Sequence, residues 1–291
     1  MGYNLHLFGD LYTMAPDKVG VAEQNIRKVL QLVSDHADKP LRQLRVLDLA
    51  AHEGGFAIEF ARHGCEVVAI EARPGHVAKA RFVKACLGLG NLELVQDDVR
   101  SVDSERFGIF DVVLCLGILY HLPKSDVVPF LRNVSGVSRR LMILETQISM
   151  KASERVDGPW GGYAGKAFGE NPRYEGAALN SQPSFWLTRS SLLNLLADVG
   201  FTSISEPLTP LVLFTAKIID HSTLLAVKGA AMEVISSPEI GRMALETWRW
   251  PEGLRRSVTP NQNRWKGVRD RILQMSGRGI QQKLRRKNPP D

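Results

Sequence analysis

Apolar positions at Val21, Ile26, Val29, Leu30 and Val33 recur close to every 3.6 residues, which predicts an amphipathic helix over Lys18–His36. Compact apolar runs then follow at intervals: "RVLDLA" (45–50), "EVVAIEA" (66–72), "LELVQ" (92–96), "FDVVLCL" (110–116) and "RLMILE" (140–145). Helical patterns lie between them at Phe56–His63, His76–Leu87 and Ser125–Val134. Strands alternating with helices imply crossover connections, and nearly continuous apolar strands are those buried on both faces. The pattern therefore predicts a doubly wound α/β fold around a parallel sheet. After Glu145 it breaks: residues 150–185 are rich in Gly, Pro, Ser and Asn yet contain Trp160, Tyr163, Phe168 and Tyr174, which reads as a lid-like loop. A helix follows in "SFWLTRSSLLNLLADVGF", with Thr188 as its cap and Gly200 as its stop. "FTSISEP" and "LVLFTAKII" (211–219) then predict an antiparallel hairpin at the sheet edge, and from 220 onward the chain reads as helices.

Composition narrows this only slightly. A chain of 291 residues with 44% hydrophobic content can bury a substantial core. No apolar run approaches the roughly 20 residues that cross a bilayer, and "MGYNLHLFGD" lacks the basic and apolar regions of a secretory signal. Cys65, Cys86 and Cys115 are widely spaced among apolar neighbours, as expected for reduced thiols in a cytoplasmic protein. The formal charge of +6 is uneven: residues 264–291 hold nine Lys or Arg against two Asp, so the rest of the chain is near neutral. That tail interleaves charge with Trp265, Ile272, Leu273, Ile280 and Leu284. Segment 264–287 could thus meet RNA or an anionic membrane face, or could simply be solvated.

In an open parallel sheet, ligands bind beyond the carboxyl ends of the strands. The first strand ends in Asp48 and the turn "AAHEGG", and the second ends in Glu71, followed by Ala72. Asp97, Asp98 and Val99 follow the third, and Leu116, Gly117 and "ILYHL" the fourth. An acid about 20 residues after a glycine turn can accept from both ribose hydroxyls. Asp98 can likewise accept from an adenine amino group, with the Val99 N–H facing a ring nitrogen. Each acid alone could be a helix cap; three together after successive strands point to a nucleoside site. A dinucleotide dehydrogenase uses the same logic, but the expected antiparallel terminal pair disfavours it.

Over Leu44–Ile219 the chain resembles the class I S-adenosylmethionine-dependent methyltransferases, on "VLDLAAHEGGF", "VVAIEARP", "LELVQDDV", "FDVVLCLGILYHL" and "FTSISEP…LVLFTAKI". "GILYHL" and "SFWLTRSSLLNLLADVGF" are similar to stretches of bacterial wobble-uridine tRNA methyltransferases and of enzymes that modify sugars and glycolipids. The resemblance implies a Rossmann-like seven-stranded sheet with an antiparallel last strand and S-adenosylmethionine as methyl donor. It assigns Asp48, Ala50, His52, Gly54, Glu71, Ala72, Asp98, Val99, Leu116 and Gly117 to that ligand. It divides the chain into a helical lead-in (1–43), a methyltransferase domain (44–219) with the 150–185 insertion, and a basic helical extension (220–291). Where this family usually has Gly, the chain has Ala50 and His52; Ala50 fits if its φ is negative, and His52 needs either room beside the cofactor or a side chain directed elsewhere.

Methyl transfer to a hydroxyl usually needs a base, whereas a neutral amine needs none. His121 is the first candidate base, or else a structural histidine; Glu145 is the second, or the group that orients His121. Tyr120 is placed at the pocket wall or in the core. Trp160, Tyr163 and Trp186 are candidates for the acceptor pocket, or for anchoring the insertion. No spacing calls for a metal. The expected activity is O-methylation of a sugar, glycoconjugate or other bacterial metabolite hydroxyl. tRNA wobble-uridine modification is the alternative, and a non-catalytic binding partner the third reading if His52 closes the site.

Overall fold

The computed structural model describes residues 5–14, 21–170, 179, 183–207, 221–230, 235–236 and 249–250. Each predicted apolar run forms a strand: β3 (Arg45–Leu49), β4 (Glu66–Glu71), β5 (Leu92–Gln96), β6 (Phe110–Leu116) and β7 (Ser138–Gln147). A short hairpin, β1 (His6–Phe8) and β2 (Leu11–Tyr12), precedes them. The helices are α1 (Val21–His36), α2 (Gly55–Arg62), α3 (Pro74–Leu87), α4 (Ser104–Phe107), α5 (Val127–Val137) and α6 (Arg189–Asp198). Two further strands, β11 (Ser203–Ser205) and β12 (His221–Val227), complete a seven-stranded sheet of order β11-β12-β7-β6-β3-β4-β5.

The five strands from β7 to β5 are mutually parallel, and β12 runs antiparallel to both of its neighbours. Alternate residues of each strand face opposite layers, which explains the unbroken apolar runs. Val46, Val112, Leu114 and Ile143 pack with Val29 of α1, Ala57 and Phe60 of α2 and Val83 of α3. Leu47, Val113, Met142 and Leu144 pack on the other side with Phe130 and Val134 of α5 and Leu195 of α6. Fully burying one such side chain contributes roughly 1.5–3 kcal/mol. Among the described residues no helix is long and apolar enough to cross a membrane.

Three expectations change. The strand expected at 211–219 lies outside the described residues; the strand antiparallel to β7 is His221–Val227. Its Leu224, Leu225 and Ala226 meet Leu144, Ile143 and Met142 in register, so the second of two successive apolar runs fills the sheet. The sheet therefore extends past the expected boundary at 219 and into the segment expected to be helical. The chain divides into compact units Met1–Glu252 and Gly253–Asp291, and the second, with the basic tail, lies outside the described residues. The lead-in is also not purely helical, because β1 and β2 precede α1.

The insertion is a sheet as well: β8 (Glu154–Gly158), β9 (Gly161–Phe168) and β10 (Ser184–Leu187) pair antiparallel in the order β10-β9-β8. Its glycines suggested a loop, but one of them is a packing requirement. A Cβ on Gly165 would lie 2.5 Å from the Trp186 carbonyl oxygen and 2.6 Å from the Phe185 ring. Glycine here allows β10 to lie close against β9.

Candidate active site

The turn after β3 keeps a glycine-type backbone without the glycines. Ala50 has φ +55° and His52 φ +54°, followed by Gly54 at +82°. The expectation of a negative φ at Ala50 is therefore overturned. The chain must reverse from β3 into α2 while Asp48, still in the strand, reaches the helix start: its Oδ2 accepts from the Ala57 N–H at 3.1 Å. A left-handed residue with a Cβ costs roughly 1–2 kcal/mol. At Gly54 a side chain would also be crowded, since a Cβ would lie 3.1 Å from the Ala80 Cβ and 3.3 Å from Ile58. Burial, with help from the charge of Glu71, pushes the Asp48 carboxyl up to about 7, against the opposing Ala57 hydrogen bond.

Glu71 closes this turn from β4. Its Oε2 accepts from the His52 N–H at 2.9 Å and its Oε1 from the Arg73 N–H at 2.8 Å. The carboxylate is 7% exposed. Two of its roughly four acceptor sites are used by the backbone, which leaves capacity for a ligand's hydroxyls. The His52 ring packs on that of His76, with centroids 3.8 Å apart, so it is directed toward the first turn of α3. Burial and the neighbouring His76 hold the His52 pKa below its ordinary value.

Asp98 caps the short turn Val99–Ser101, its Oδ1 accepting from the Arg100 N–H at 2.9 Å. The Arg100 guanidinium also binds both Asp98 oxygens and reaches Asp126, and it holds Asp98 below the usual carboxylate range. An adenine amino group would share Asp98 with Arg100. At the end of β6, beyond Leu116, Gly117 adopts φ +84° and its N–H donates to the Glu145 carbonyl at 2.9 Å.

His121 ends the tight turn Leu119–His121 that follows β6. Its Nδ1 lies 2.8 and 2.9 Å from the two carboxylate oxygens of Glu170, and both side chains are largely buried. Tyr120 packs on the His121 ring at 4.2 Å and meets Trp186 edge-on at 6.2 Å. The Trp186 Nε1–H donates to the Tyr120 carbonyl, and its ring stacks on Phe168 at 4.2 Å. Phe168 is 43% exposed, so the stack ends in solvent. The sequence gives no local sign of Glu170, which is 49 residues from His121. The link is the pairing of β9 with β10, and of β10 with the turn through Phe185 N–H and the Leu122 carbonyl.

Three expected residues lie elsewhere. Glu145 does not orient His121: its Oε1 accepts from His221 at 2.7 Å and its Oε2 from Asn25 of α1 at 2.9 Å. Burial works to raise its pKa, yet His221, Asn25 and nearby Lys28 together hold it low. Tyr163 is buried in the core and donates its hydroxyl to Asp198 at 2.6 Å, so it lines no acceptor pocket. Trp160 sits at the β8–β9 turn, the far end of an eight-residue strand from Glu170. That is about 27 Å at ~3.4 Å per residue.

A family model described as a methyltransferase domain matches residues 46–140. The N-terminal domain of EvdMO1 with SAH bound is 27% identical, with a TM-score of 0.57, over 72% of this chain and 81% of that one. The same domain in the presence of SAH and D-fucose is 25% identical, with a TM-score of 0.59, over 78% and 90%. Magnesium protoporphyrin IX methyltransferase (ChlM) from Synechocystis PCC 6803 with bound SAM shares the fold, at 18% identity and a TM-score of 0.50, over 72% and 80%. No curated protein sequence matches.

Proposed function

We propose that this chain, a class I S-adenosylmethionine-dependent methyltransferase, methylates a hydroxyl of a sugar or glycoconjugate. The observation that carries the reading is His121 at the end of β6. Its Nδ1 is engaged by Glu170, and among the described residues its Nε2 has no hydrogen-bond partner. An imidazole presented this way can take a hydroxyl proton, a service that a neutral amine acceptor does not need. The exposed Phe168 face, stacked on Trp186, offers an apolar platform to the C–H face of a sugar ring. The EvdMO1 domain solved in the presence of SAH and D-fucose supports a sugar acceptor.

The chain's own groups fit the methyl donor. Glu71 retains acceptor capacity for ribose hydroxyls beside the Ala50–Gly54 turn, while Asp98 and the Val99 N–H would hold the adenine. Leu116 and Gly117 would line the methionine portion. S-adenosylmethionine, when bound, supplies a methyl group activated by a cationic sulfur. The protein's part is alignment, exclusion of water and removal of the acceptor proton.

The reading is tested by incubating the full-length protein with S-adenosylmethionine and a panel of free and nucleotide-linked sugars, D-fucose included. Products are located by mass spectrometry and NMR. A new O-methyl signal is expected. Methylation only of tRNA, the alternative, or only at nitrogen would overturn it.

A further inference from the structure

We infer that Glu170 is the positioning residue for His121, so that the inserted β8–β10 sheet carries part of the base. This rests on the hydroxyl-acceptor reading above. An ionised carboxylate can only accept hydrogen bonds, so the nitrogen between its two oxygens must carry the hydrogen. In the neutral ring the lone pair is then on Nε2, the nitrogen left for the acceptor. Nothing else among the described residues fixes the tautomer. Tyr120 packs on the ring without a hydrogen bond to either nitrogen. His121 Nε2 takes the hydroxyl proton as the acceptor oxygen closes on the methyl carbon. The carbon–sulfur electron pair stays with sulfur, and the proton later leaves to water. Glu170 stabilises the imidazolium in between.

The insertion is fixed to the turn on which His121 sits. The Phe185 N–H donates to the Leu122 carbonyl at 2.9 Å, and Trp186 Nε1–H to the Tyr120 carbonyl at 3.1 Å. Ser184 forms a bridge with Pro123. Phe168, at the end of β9, stands two residues before Glu170. One segment thus joins the exposed aromatic platform to the group behind the base.

Two readouts on the full-length protein test this. Nitrogen-15 NMR of labelled histidine reports the His121 tautomer with no acceptor present. The Nδ1–H form is expected in the parent, and loss of that preference in Glu170→Ala. An Nε2–H ring in the parent, or an unchanged tautomer in the variant, overturns the inference. Retained binding of S-adenosylhomocysteine shows that the variant is folded. With the sugar acceptor, Glu170→Gln keeps a hydrogen-bond acceptor but loses the charge. Its kcat should fall on the order of 10²-fold, with KM for S-adenosylmethionine within about twofold, and Glu170→Asp should recover part of the loss. Parent-like turnover by Glu170→Gln would reduce Glu170 to a strut and also overturn the inference. Failure of every hydroxyl acceptor alongside the expected tautomer result would remove the acceptor reading and leave Glu170's positioning of the ring intact.

Discussion

The His52 N–H donates to Glu71 Oε2 at 2.9 Å, tying the turn after β3 to the end of β4. The acid expected to hold the ribose therefore also holds the turn beside it. Glu71→Ala should lower affinity for S-adenosylhomocysteine by roughly 10- to 100-fold, the worth of lost charge-assisted hydrogen bonds. It should also loosen residues 50–54. Calorimetric titration together with amide exchange would check both effects; weakened binding with unchanged exchange would confine Glu71 to the ligand.

Ala50 lies at φ +55° with a Cβ that this region disfavours. Ala50→Gly should stabilise the fold by about 0.5–1 kcal/mol, the relief of left-handed strain less the added freedom of the unfolded chain. Urea unfolding gives the difference. A destabilised variant would mean that the methyl group's contacts outweigh the strain.

Asp48 gives a pH signature. Its carboxyl is raised to about 7 in the folded protein, by burial above all, against about 3.9 unfolded. The folded state holds this proton more tightly, so the contribution is complete below pH 4 and is lost as pH rises through 7. Asp48→Asn keeps an acceptor for Ala57 without the titration. The variant should gain on the parent between pH 4 and 7.5, by up to a few kcal/mol. A stability difference that stays flat across that range would remove Asp48 as its source.

Tyr163 and Phe168 lie on one strand with different expected roles. Tyr163→Phe should cost about 1–2 kcal/mol of stability through the lost Asp198 contact, with KM for the acceptor unchanged. Phe168→Ala should do the reverse, raising acceptor KM several-fold with little change in stability. Thermal unfolding and steady-state kinetics on the two variants separate these roles.

β3, β4, β6 and β7 were legible because they are buried on both sides, so pattern and burial coincide; β5, at the sheet edge and only partly buried, was marked by Leu92, Leu94 and Val95 alone. Glu71 was legible through its spacing from the turn. The φ of Ala50 was not, since residue type argues for the opposite sign; only the demands of Asp48 and α2 on the turn decide it. Gly165 helped conceal a strand because the close packing of β10 on β9 uses the same residue that marks loops. Glu170 was hidden because two successive strand pairings, not sequence distance, bring it to His121.

β12 lies between β11 and β7, although it is the last of the seven strands along the chain. During synthesis β7 is complete some eighty residues before its partner emerges, and for that interval its Leu141–Gln147 edge is open to any other extended chain. Among the described residues β11 pairs only with β12. Truncations ending before His221 would remove β12 and take from β7 the partner that runs along Leu141–Gln147, so one late strand sets how much of the chain the sheet needs.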